Sequence, residues 1–493
     1  MAEDMAKQKK DKPKLKDFPF NYWVVIMFEF FERGAYYGMM SILSVYMVDI
    51  LGFSKEGVGL IKSTIQPLLY FLPLMTGAVA DRMGYRRTLM FAFAFLGLGY
   101  GLTSQMTEYS LVFVCLVIMG IGAGTFKPII SGTIAKLTTE KNSTLGFGIF
   151  YWSINLGAFL FPLILVPYLK TIDPTSILPF LADTPWSLVI IAAAVCTGAM
   201  LIPTIFFFKE PERDKADTEK APLGKMISDV FKKMWMVFKD WRFILFIFIY
   251  SWFWILYFQM FDTVLWYLQQ FVDASALDNF VSGIVGFEWT FAVEHVTVIN
   301  ALTIVLLQLI VSSIVARTKA LPTMIVGIAI GTLGMAILAF SSSIWIFILG
   351  IFMFSVGEMT AHPKYISYLG IIAPPDRKAT YMGFGFLYGA FSSFIGPLLG
   401  ANLYVAMIDN PMIAFVKTKL ADMGAAVAIP EGTPVKDVIE IGTNAGLEYN
   451  EILAQAQTSE LWLLFSGIGI LCIIGLLVYQ KFILPGQKAE HNQ

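Results

Sequence analysis

Four side chains in the first long apolar stretch of the chain have types and spacing that suit proton and anion chemistry. At positions i, i+3, i+4 and i+7 stand Glu29, Glu32, Arg33 and Tyr36. In a helix these positions share one face. Two carboxylates beside one guanidinium leave one negative charge imperfectly matched, and such a group can take up a proton reversibly. An ion-pair clasp between helices is the structural alternative; we favour function because intramembrane charges are costly and line cavities.

Further polar side chains lie inside apolar stretches elsewhere in the chain. Lys127 has no carboxylate nearby in its own stretch, so we expect a partner from another helix, with Glu29 and Glu32 the obvious candidates. The others are Lys62, Gln66, Tyr70, Asn155, Gln259, Asp262, Glu358 and His362. Lys62 could equally reach water at an interface, and we expect His362 to be a packing residue. These polar side chains come from both the first and the second half of the sequence. We therefore expect a binding site between two halves of the protein that move relative to each other.

The composition defines the environment around these side chains. The chain has 57% hydrophobic and 14% charged residues, against about 45–50% and about 25% in soluble domains, and its mean hydropathy is +0.69. Its apolar runs are near the ~20 residues that cross a bilayer as a helix. We predict an all-α membrane protein with twelve transmembrane helices. The predicted spans are 20–48, 57–80, 87–105, 109–136, 144–169, 185–208, 243–271, 294–316, 320–341, 343–372, 379–407 and 459–483.

The order of these spans divides the chain into two six-helix halves. We predict a tail over 1–19, an N-terminal half over 20–208, a linker over 209–242, a C-terminal half over 243–483 and a tail over 484–493. The end of the linker, from Met226 to Trp241, has the pattern of an amphipathic helix on the membrane surface. The segment 408–458 between the last two spans is polar and net acidic. We expect it to form small helices as a structural cap, with partner recognition as the alternative.

Lysine and arginine residues predict the orientation of the chain. The lysine-rich tail shares its side of the spans with Arg82, Arg86, Arg87, Lys136, Lys141, Arg317, Lys319, Arg377 and Lys378, whereas 171–185 and 273–293 on the other side contain none. The positive-inside rule therefore predicts that both termini are cytoplasmic. We expect a multi-pass protein of the plasma (inner) membrane, embedded in its lipids. The first apolar run contains charges and no small-residue cleavage site, so we interpret it as a retained helix.

Several classes of function find no support in the sequence. No nucleophile arrangement, metal-ligand spacing or phosphate-binding loop is present, so we expect no enzyme activity and no cofactor, with protons as the coupling ion. The three cysteines, Cys115, Cys196 and Cys472, lie in apolar runs, where buried, inert thiols are expected. A net charge of −1 without a basic domain gives no reason to expect a nucleic-acid partner.

Four motifs resemble those of known transporters. The segment 77–87 resembles the signature loop of the major facilitator superfamily in its residues Gly77, Asp81, Arg82, Gly84, Arg86 and Arg87. Within that superfamily, the cluster in the first span, continued by Tyr37 and Gly38, resembles the ExxER-plus-YYG motif of the proton-coupled oligopeptide transporters. Residues 150–157 resemble that family's FYxxINxG signature, and Glu358 with Pro363 resembles its tenth-helix region.

The resemblance implies a fold and a role for each residue. It implies the major facilitator fold and small peptides as substrate; separately, we expect a monomer. Arg33 would bind the peptide's carboxylate, and Glu358 its amino group. Protonation would be coupled to transport through Glu29, Glu32 and Lys127. The remaining substrate-binding residues would be Tyr36, Tyr37, Tyr70 and Asn155, and the gating residues Asp81, Arg82, Asp262, Lys127 and Glu358. In the gates, Lys127 would pair with Glu358, and Asp262 with Arg33.

The sequence departs from this family at positions that shape the pocket. Gly34 stands where an aromatic residue usually follows the arginine, and Gly385 where a tryptophan is usual. Phe258 replaces a carboxylate, and His362 replaces a serine before the proline. The extra helix pair that many bacterial members carry between the halves is missing. These differences leave proton coupling in place and put the exact substrate in doubt.

The resulting hypothesis is a proton-coupled symporter that imports di- and tripeptides by alternating access. The alternative on the same fold is a proton-coupled transporter of another small anion or zwitterion, because Arg33 and Lys127 could hold any carboxylate. A third hypothesis, a non-transporting sensor or scaffold that presents 408–458, explains the intramembrane charges least well.

Overall fold

The computed structural model describes residues 14–139, 142–174, 183–211, 223–424, 429–430 and 432–483. Most of both predicted tails and the middle of the predicted linker lie outside these ranges. Within them the chain is helical and contains no β-strand. The all-α prediction is therefore confirmed for the described residues.

Nine α-helices among the described residues cover the predicted N-terminal half. They are α1 (Phe20–Val45), α2 (Lys55–Phe71), α3 (Pro73–Met83), α4 (Tyr85–Thr103), α5 (Tyr109–Leu137), α6 (Ser143–Leu160), α7 (Val166–Lys170), α8 (Pro185–Gly198) and α9 (Leu201–Phe206). Two π-helical turns, Tyr46–Ile50 and Phe161–Leu165, continue α1 and α6. Between α3 and α4 the backbone of Gly84 has φ +97°, a conformation that only glycine adopts at little cost.

The remaining helices of the described residues begin in the predicted linker and continue through the predicted C-terminal half. They are α10 (Leu223–Lys239), α11 (Trp241–Gln259), α12 (Thr263–Phe271), α13 (Ser275–Val285), α14 (His295–Val315), α15 (Ala320–Ala336), α16 (Ile344–Ile372), α17 (Lys378–Phe384), α18 (Leu387–Tyr404), α19 (Asn410–Asp422), α20 (Val435–Asn444), α21 (Tyr449–Leu453) and α22 (Thr458–Val478). Helix α10 is the predicted amphipathic helix of the linker. Asp240 caps the helix that follows it, accepting a hydrogen bond from the backbone N–H of Phe243.

Ten helices among the described residues are long and apolar enough to cross a membrane. The two predicted spans outside this set, 20–48 and 87–105, coincide with α1 and α4. The set is consistent with the prediction of twelve spans. Large apolar side chains remain exposed on these helices, including Leu306, Leu309 and Ile314 on α14, as expected for surfaces that face lipid.

The chain forms two compact units, which do not follow the predicted halves at every point. The first unit comprises Met1–Met39 and Phe71–Phe231, and the second comprises Met40–Tyr70 and Lys232–Gln493. The end of α1 and nearly all of α2 therefore belong to the second unit.

In each unit the third and fourth predicted spans pack closely through glycine. In the first unit α4 meets α5, where a Cβ on Gly99 would lie 2.5 Å from the backbone nitrogen of Met119. In the second unit α15 meets α16, where a Cβ on Gly327 would lie 2.6 Å from the backbone nitrogen of Ala361. Small residues let membrane helices approach this closely. The two pairs occupy corresponding positions in the two halves of the chain, as a duplicated transporter fold predicts.

Candidate functional site

The ionisable cluster of α1 is buried and internally paired. Arg33 donates two hydrogen bonds to Glu32, from Nε to Oε2 at 2.5 Å and from Nη2 to Oε1 at 2.6 Å. The exposed fraction is 0% for Glu32 and 4% for Arg33. The guanidinium also lies 5.1 Å from the centre of the Tyr36 ring. This fork-to-fork pairing is the strongest geometry available to the two groups.

Glu29 is held less tightly than Glu32. Its Oε1 lies 3.7 Å from Nε of Arg33, beyond the distance of a good hydrogen bond, although Glu29 is only 4% exposed. Lys127 on α5 interacts electrostatically with both carboxylates. The cluster therefore contains two carboxylates and two cations, with Glu29 the more loosely compensated acid.

The space beside Gly34, the residue after Arg33, is filled by a side chain from another part of the first unit. A Cβ on Gly34 would overlap the ring of Phe161, and a Cβ on Gly157 of α6 would lie 2.6 Å from the carbonyl oxygen of Phe30. Phe161 thus fills the space that an aromatic side chain at position 34 would use. The departure at Gly34 is compensated by packing rather than left as a void.

The other predicted side chains of the first unit lie on α1, on α6 and in the signature loop at the end of α3. Tyr36 and Tyr37 are half-buried with their rings edge to face, 5.4 Å apart. Asn155 on α6 is half-buried, and its Nδ2 donates to the carbonyl oxygen of Tyr151 at 2.8 Å. In the signature loop Arg82 is exposed, and the side chain of Asp81 lies outside what the structure describes.

Glu210, at the start of the linker, caps α4 next to that loop. Its carboxylate accepts hydrogen bonds from the backbone N–H of Tyr85 at 2.7 Å and of Arg86 at 2.9 Å. A carboxylate at the first turn of a helix complements its dipole. No local pattern predicts this contact, because 125 positions separate Glu210 from Tyr85.

Glu358 occupies α16 in the second unit. It is half-buried and accepts a hydrogen bond from Nδ2 of Asn300 at 3.1 Å. One turn further, Nδ1 of His362 lies 3.3 Å from the Tyr250 hydroxyl, and the His362 ring lies 5.2 Å from that of Trp254. His362 therefore packs within an aromatic cluster beside Glu358.

Gly385 resembles Gly34 in having its side-chain space filled by a neighbour. A Cβ there would overlap Leu369 of α16, and the hydroxyl of Tyr365 donates to the Gly385 carbonyl oxygen at 2.5 Å. Tyr70, at the end of α2, lies 6.5 Å from Tyr388 ring to ring. The second unit thus brings Tyr70 towards Tyr388 on α18.

Asp262 pairs with Lys62, not with Arg33 as predicted. The Lys62 ammonium forms an ion pair with Oδ1 of Asp262, and each residue is 1% exposed. It also donates to the carbonyl oxygen of Phe261 at 2.9 Å and to Ser44 Oγ at 2.8 Å. Lys62 is therefore buried and does not reach water at an interface.

A break in the helix creates this binding place for Lys62. The predicted span 243–271 is divided between α11, which ends at Gln259, and α12, which begins at Thr263. The break leaves the Phe261 carbonyl oxygen without its helical partner and available to a cation. Discontinuous helices of this kind are where transporters place ion and substrate contacts.

A second buried ion pair was missed at the sequence level. Lys55, at the start of α2, places Nζ 2.8 Å from both carboxylate oxygens of Asp409, and the ammonium lies 4.4 Å from the centre of the Tyr404 ring. The prediction had placed Lys55 just before a span and Asp409 within a polar loop. Neither position then suggested burial.

A family model described as Major Facilitator Superfamily matches residues 23–397. The chain belongs to this superfamily. The predicted fold is thereby confirmed, and the protein is a multi-pass membrane transporter rather than an enzyme.

Curated relatives of this superfamily member match over part of their length. Dipeptide and tripeptide permease B of Edwardsiella piscicida is 32% identical over 152 residues, which cover 30% of this chain and 31% of that protein. Dipeptide and tripeptide permease A of Citrobacter koseri is 27% identical over 221 residues, covering 43% of this chain and 41% of that protein. The chain thus spans less than half the length of these relatives in the alignments.

Solved structures match the transporter along nearly its whole length. A bacterial homologue of the human drug peptide transporters PepT1 and PepT2 superposes with a TM-score of 0.66 at 20% identity, covering 95% of this chain and 98% of that one. The nucleoside transporter NupG superposes with a TM-score of 0.68 at 13% identity, covering 94% and 100%. At these identities the likeness shows the fold, and two such differently named neighbours show that the fold alone does not set the cargo.

Proposed function

We propose that this protein is a proton-coupled symporter that imports di- and tripeptides by alternating access. The observation that carries the proposal is the buried cluster of Glu29, Glu32, Arg33 and Lys127, which combines a carboxylate-binding cation with a loosely held acid. The names of the curated relatives, dipeptide and tripeptide permeases, support the choice of cargo.

The fork-to-fork pair suggests how proton and peptide binding are linked. A peptide's terminal carboxylate needs the same guanidinium N–H groups that Glu32 now occupies. Protonation within the cluster removes one negative charge beside Arg33, so that a substrate carboxylate can compete with Glu32 for the guanidinium. Peptide binding then favours the protonated cluster by the same amount, because coupling between two sites is reciprocal.

Glu29 is our candidate for the proton acceptor. Its distance of 3.7 Å to Arg33 leaves it with weaker compensation than Glu32, and a weakly compensated buried carboxylate gains most from protonation. Once Glu29 is neutral, Lys127 has lost one of its two acidic neighbours. We propose that Glu358 then becomes its partner, which closes the inner gate.

The two ends of a zwitterionic peptide require opposite charges. Arg33 would bind the carboxylate and Glu358 the amino group, while Tyr36, Tyr37, Tyr70 and Asn155 would hydrogen-bond the backbone. Lys62 and Asp262 would hold the outer gate, and Asp81 with Arg82 the cytoplasmic loop. We propose that both termini are cytoplasmic, that the membrane is the plasma membrane and that the unit of transport is the monomer.

A different small anion or zwitterion remains the second candidate. Phe161 and Leu369 fill the places that side chains at Gly34 and Gly385 would take, so the pocket differs in shape from that of the family it resembles. Substrate counterflow in proteoliposomes, which needs no proton gradient, separates the two candidates. Competition by di- and tripeptides but not by amino acids or organic anions supports peptides; the reverse pattern assigns the other cargo.

A further inference from the structure

The polar segment after α18 is a continuation of that helix. From Leu387 the helix runs through a π-helical turn, Val405–Asp409, directly into α19, which ends at Asp422. Helices α20 and α21 pack back onto α19: a Cβ on Gly442 would lie 3.1 Å from both Ile452 and Val416. We call α19, α20 and α21 together the cap. Because its first helix is an extension of α18, the cap moves wherever the end of α18 moves.

The chain enters and leaves the cap at the same place. The backbone N–H of Gln457 donates to the carbonyl oxygen of Met407 at 2.9 Å, and Ser459 Oγ donates to the Ala339 carbonyl oxygen at 2.6 Å. The two ends of the cap therefore lie next to each other, and a short linker is long enough to join them if the cap is removed.

Helix α2 lies against α18 at the base of the cap. A Cβ on Gly59 would lie 2.7 Å from Cβ of Ala401 and 2.8 Å from the carbonyl oxygen of Pro397. Closer to the other end, a Cβ on Gly389 would overlap the ring of Tyr70. Glycine at these points allows close contact between the helices.

The pair of Lys55 and Asp409 closes this contact at its cap end. Asp409 is the last residue before α19. Nζ of Lys55 donates to both of its carboxylate oxygens at 2.8 Å. The exposed fraction is 5% for Lys55 and 6% for Asp409. A buried charge that loses its partner is strongly unfavourable, so separation of α2 from α18 requires water to reach both groups.

We infer that Lys55 and Asp409 form a latch through which the cap is part of the outer gate. When the protein opens outward, α2 separates from α18, the ion pair of Lys55 and Asp409 breaks, and the cap moves with α18. When it closes, the ion pair and the two glycine contacts between α2 and α18 form again. Lys55 and Asp409 are positioning residues, since they act through the helices rather than on substrate. The inference rests on alternating access in the proposed function and on no particular cargo.

Thiol labelling from outside tests the latch without any substrate. Ser63 lies one turn after Gly59 on the same face of α2 and is 1% exposed. The reporter is Ser63→Cys in a background without Cys115, Cys196 and Cys472, treated in membranes with an impermeant maleimide. Adding Lys55→Ala should raise the labelling rate by roughly tenfold, because the closed state loses a buried pair. The matched control is Lys419→Ala, which breaks an exposed pair inside the cap with Glu451.

Two further variants keep the test decisive if Lys55→Ala does not fold. Exchange of the charges, Lys55→Asp with Asp409→Lys, should return labelling towards the reporter's own rate. Replacement of residues 411–456 by a short glycine linker should raise it, because Asp409 loses the helix that holds it. Labelling at the Lys419→Ala rate in both Lys55→Ala and the linker variant would overturn the latch. A protein that moves no peptide yet labels as predicted would keep the latch and refute the proposed cargo.

Discussion

Arg33 binds Glu32 through two parallel hydrogen bonds of 2.5 and 2.6 Å, whereas the nearest oxygen of Glu29 lies 3.7 Å from the same guanidinium. Arg33 therefore binds Glu32 tightly and Glu29 only loosely, although the two acids are only three positions apart. In the proposed mechanism the two acids have different tasks: Glu32 competes with substrate for Arg33, and Glu29 accepts the proton.

Glu29→Gln should uncouple transport from protons. Glutamine has the shape of a protonated glutamate, so the variant should retain counterflow while losing about tenfold or more of gradient-driven accumulation. Both activities are measured in the same proteoliposomes. Accumulation by Glu29→Gln at the wild-type level would show that Glu29 is not the acceptor.

Arg33→Lys should weaken substrate binding while keeping the charge. Lysine is a point charge and cannot reproduce the planar fork, so the loss of one charge-assisted hydrogen bond should raise KM by about tenfold, or ~1.4 kcal/mol. The measurement is the concentration dependence of uptake. An unchanged KM would exclude Arg33 as the carboxylate site.

Breaking the buried pair of Lys62 and Asp262 should lower stability. Lys62→Ala leaves a buried carboxylate without its cation, which costs about 3–5 kcal/mol. Thermal unfolding of the purified protein in detergent measures the effect. Arg377→Ala, which removes an exposed pair with Asp376, is the control and should cost about 1 kcal/mol or less. Equal losses in both variants would mean that the Lys62 pair is not buried in solution.

The filled space at Gly34 predicts a compensating pair of substitutions. Gly34→Ala alone forces Phe161 to move, and overpacking of this kind costs about 1–3 kcal/mol. Gly34→Phe combined with Phe161→Ala should recover stability and uptake, because a phenylalanine ring at position 34 then fills the space that the Phe161 ring occupied. Full activity of Gly34→Ala alone would contradict the packing described.

The sequence predicted what depends on local pattern. The charges of Glu29, Glu32 and Arg33 are close in the chain, so helical spacing alone places them on one face. Apolar runs likewise predicted the helices, and the α18 helix was predicted up to residue 407. Its extension to Asp422 was expected as a cap with small helices, because polar residues beyond the bilayer carry no hydropathy signal for a continuous helix.

The sequence could not predict the partners that come from distant segments. Lys62 and Asp262 are 200 positions apart, and the choice of Asp262 as a partner for Arg33 followed family resemblance rather than any local pattern. The break in the helix after Gln259, which offers the Phe261 carbonyl oxygen to Lys62, lies in a continuous apolar run. Neither glycine nor proline marks it, and Asp262 at the N-terminus of α12 is a single turn-favouring residue among apolar ones, so periodicity alone predicts an unbroken helix.

Accumulation of labelled dialanine in proteoliposomes, with and without an inward proton gradient, is the direct test of proton-coupled peptide transport. We expect the wild-type protein to concentrate dialanine only with the gradient, and Lys127→Ala to equilibrate the peptide across the membrane without concentrating it. Uptake by folded wild-type protein that is no faster with the gradient than without it would contradict proton coupling.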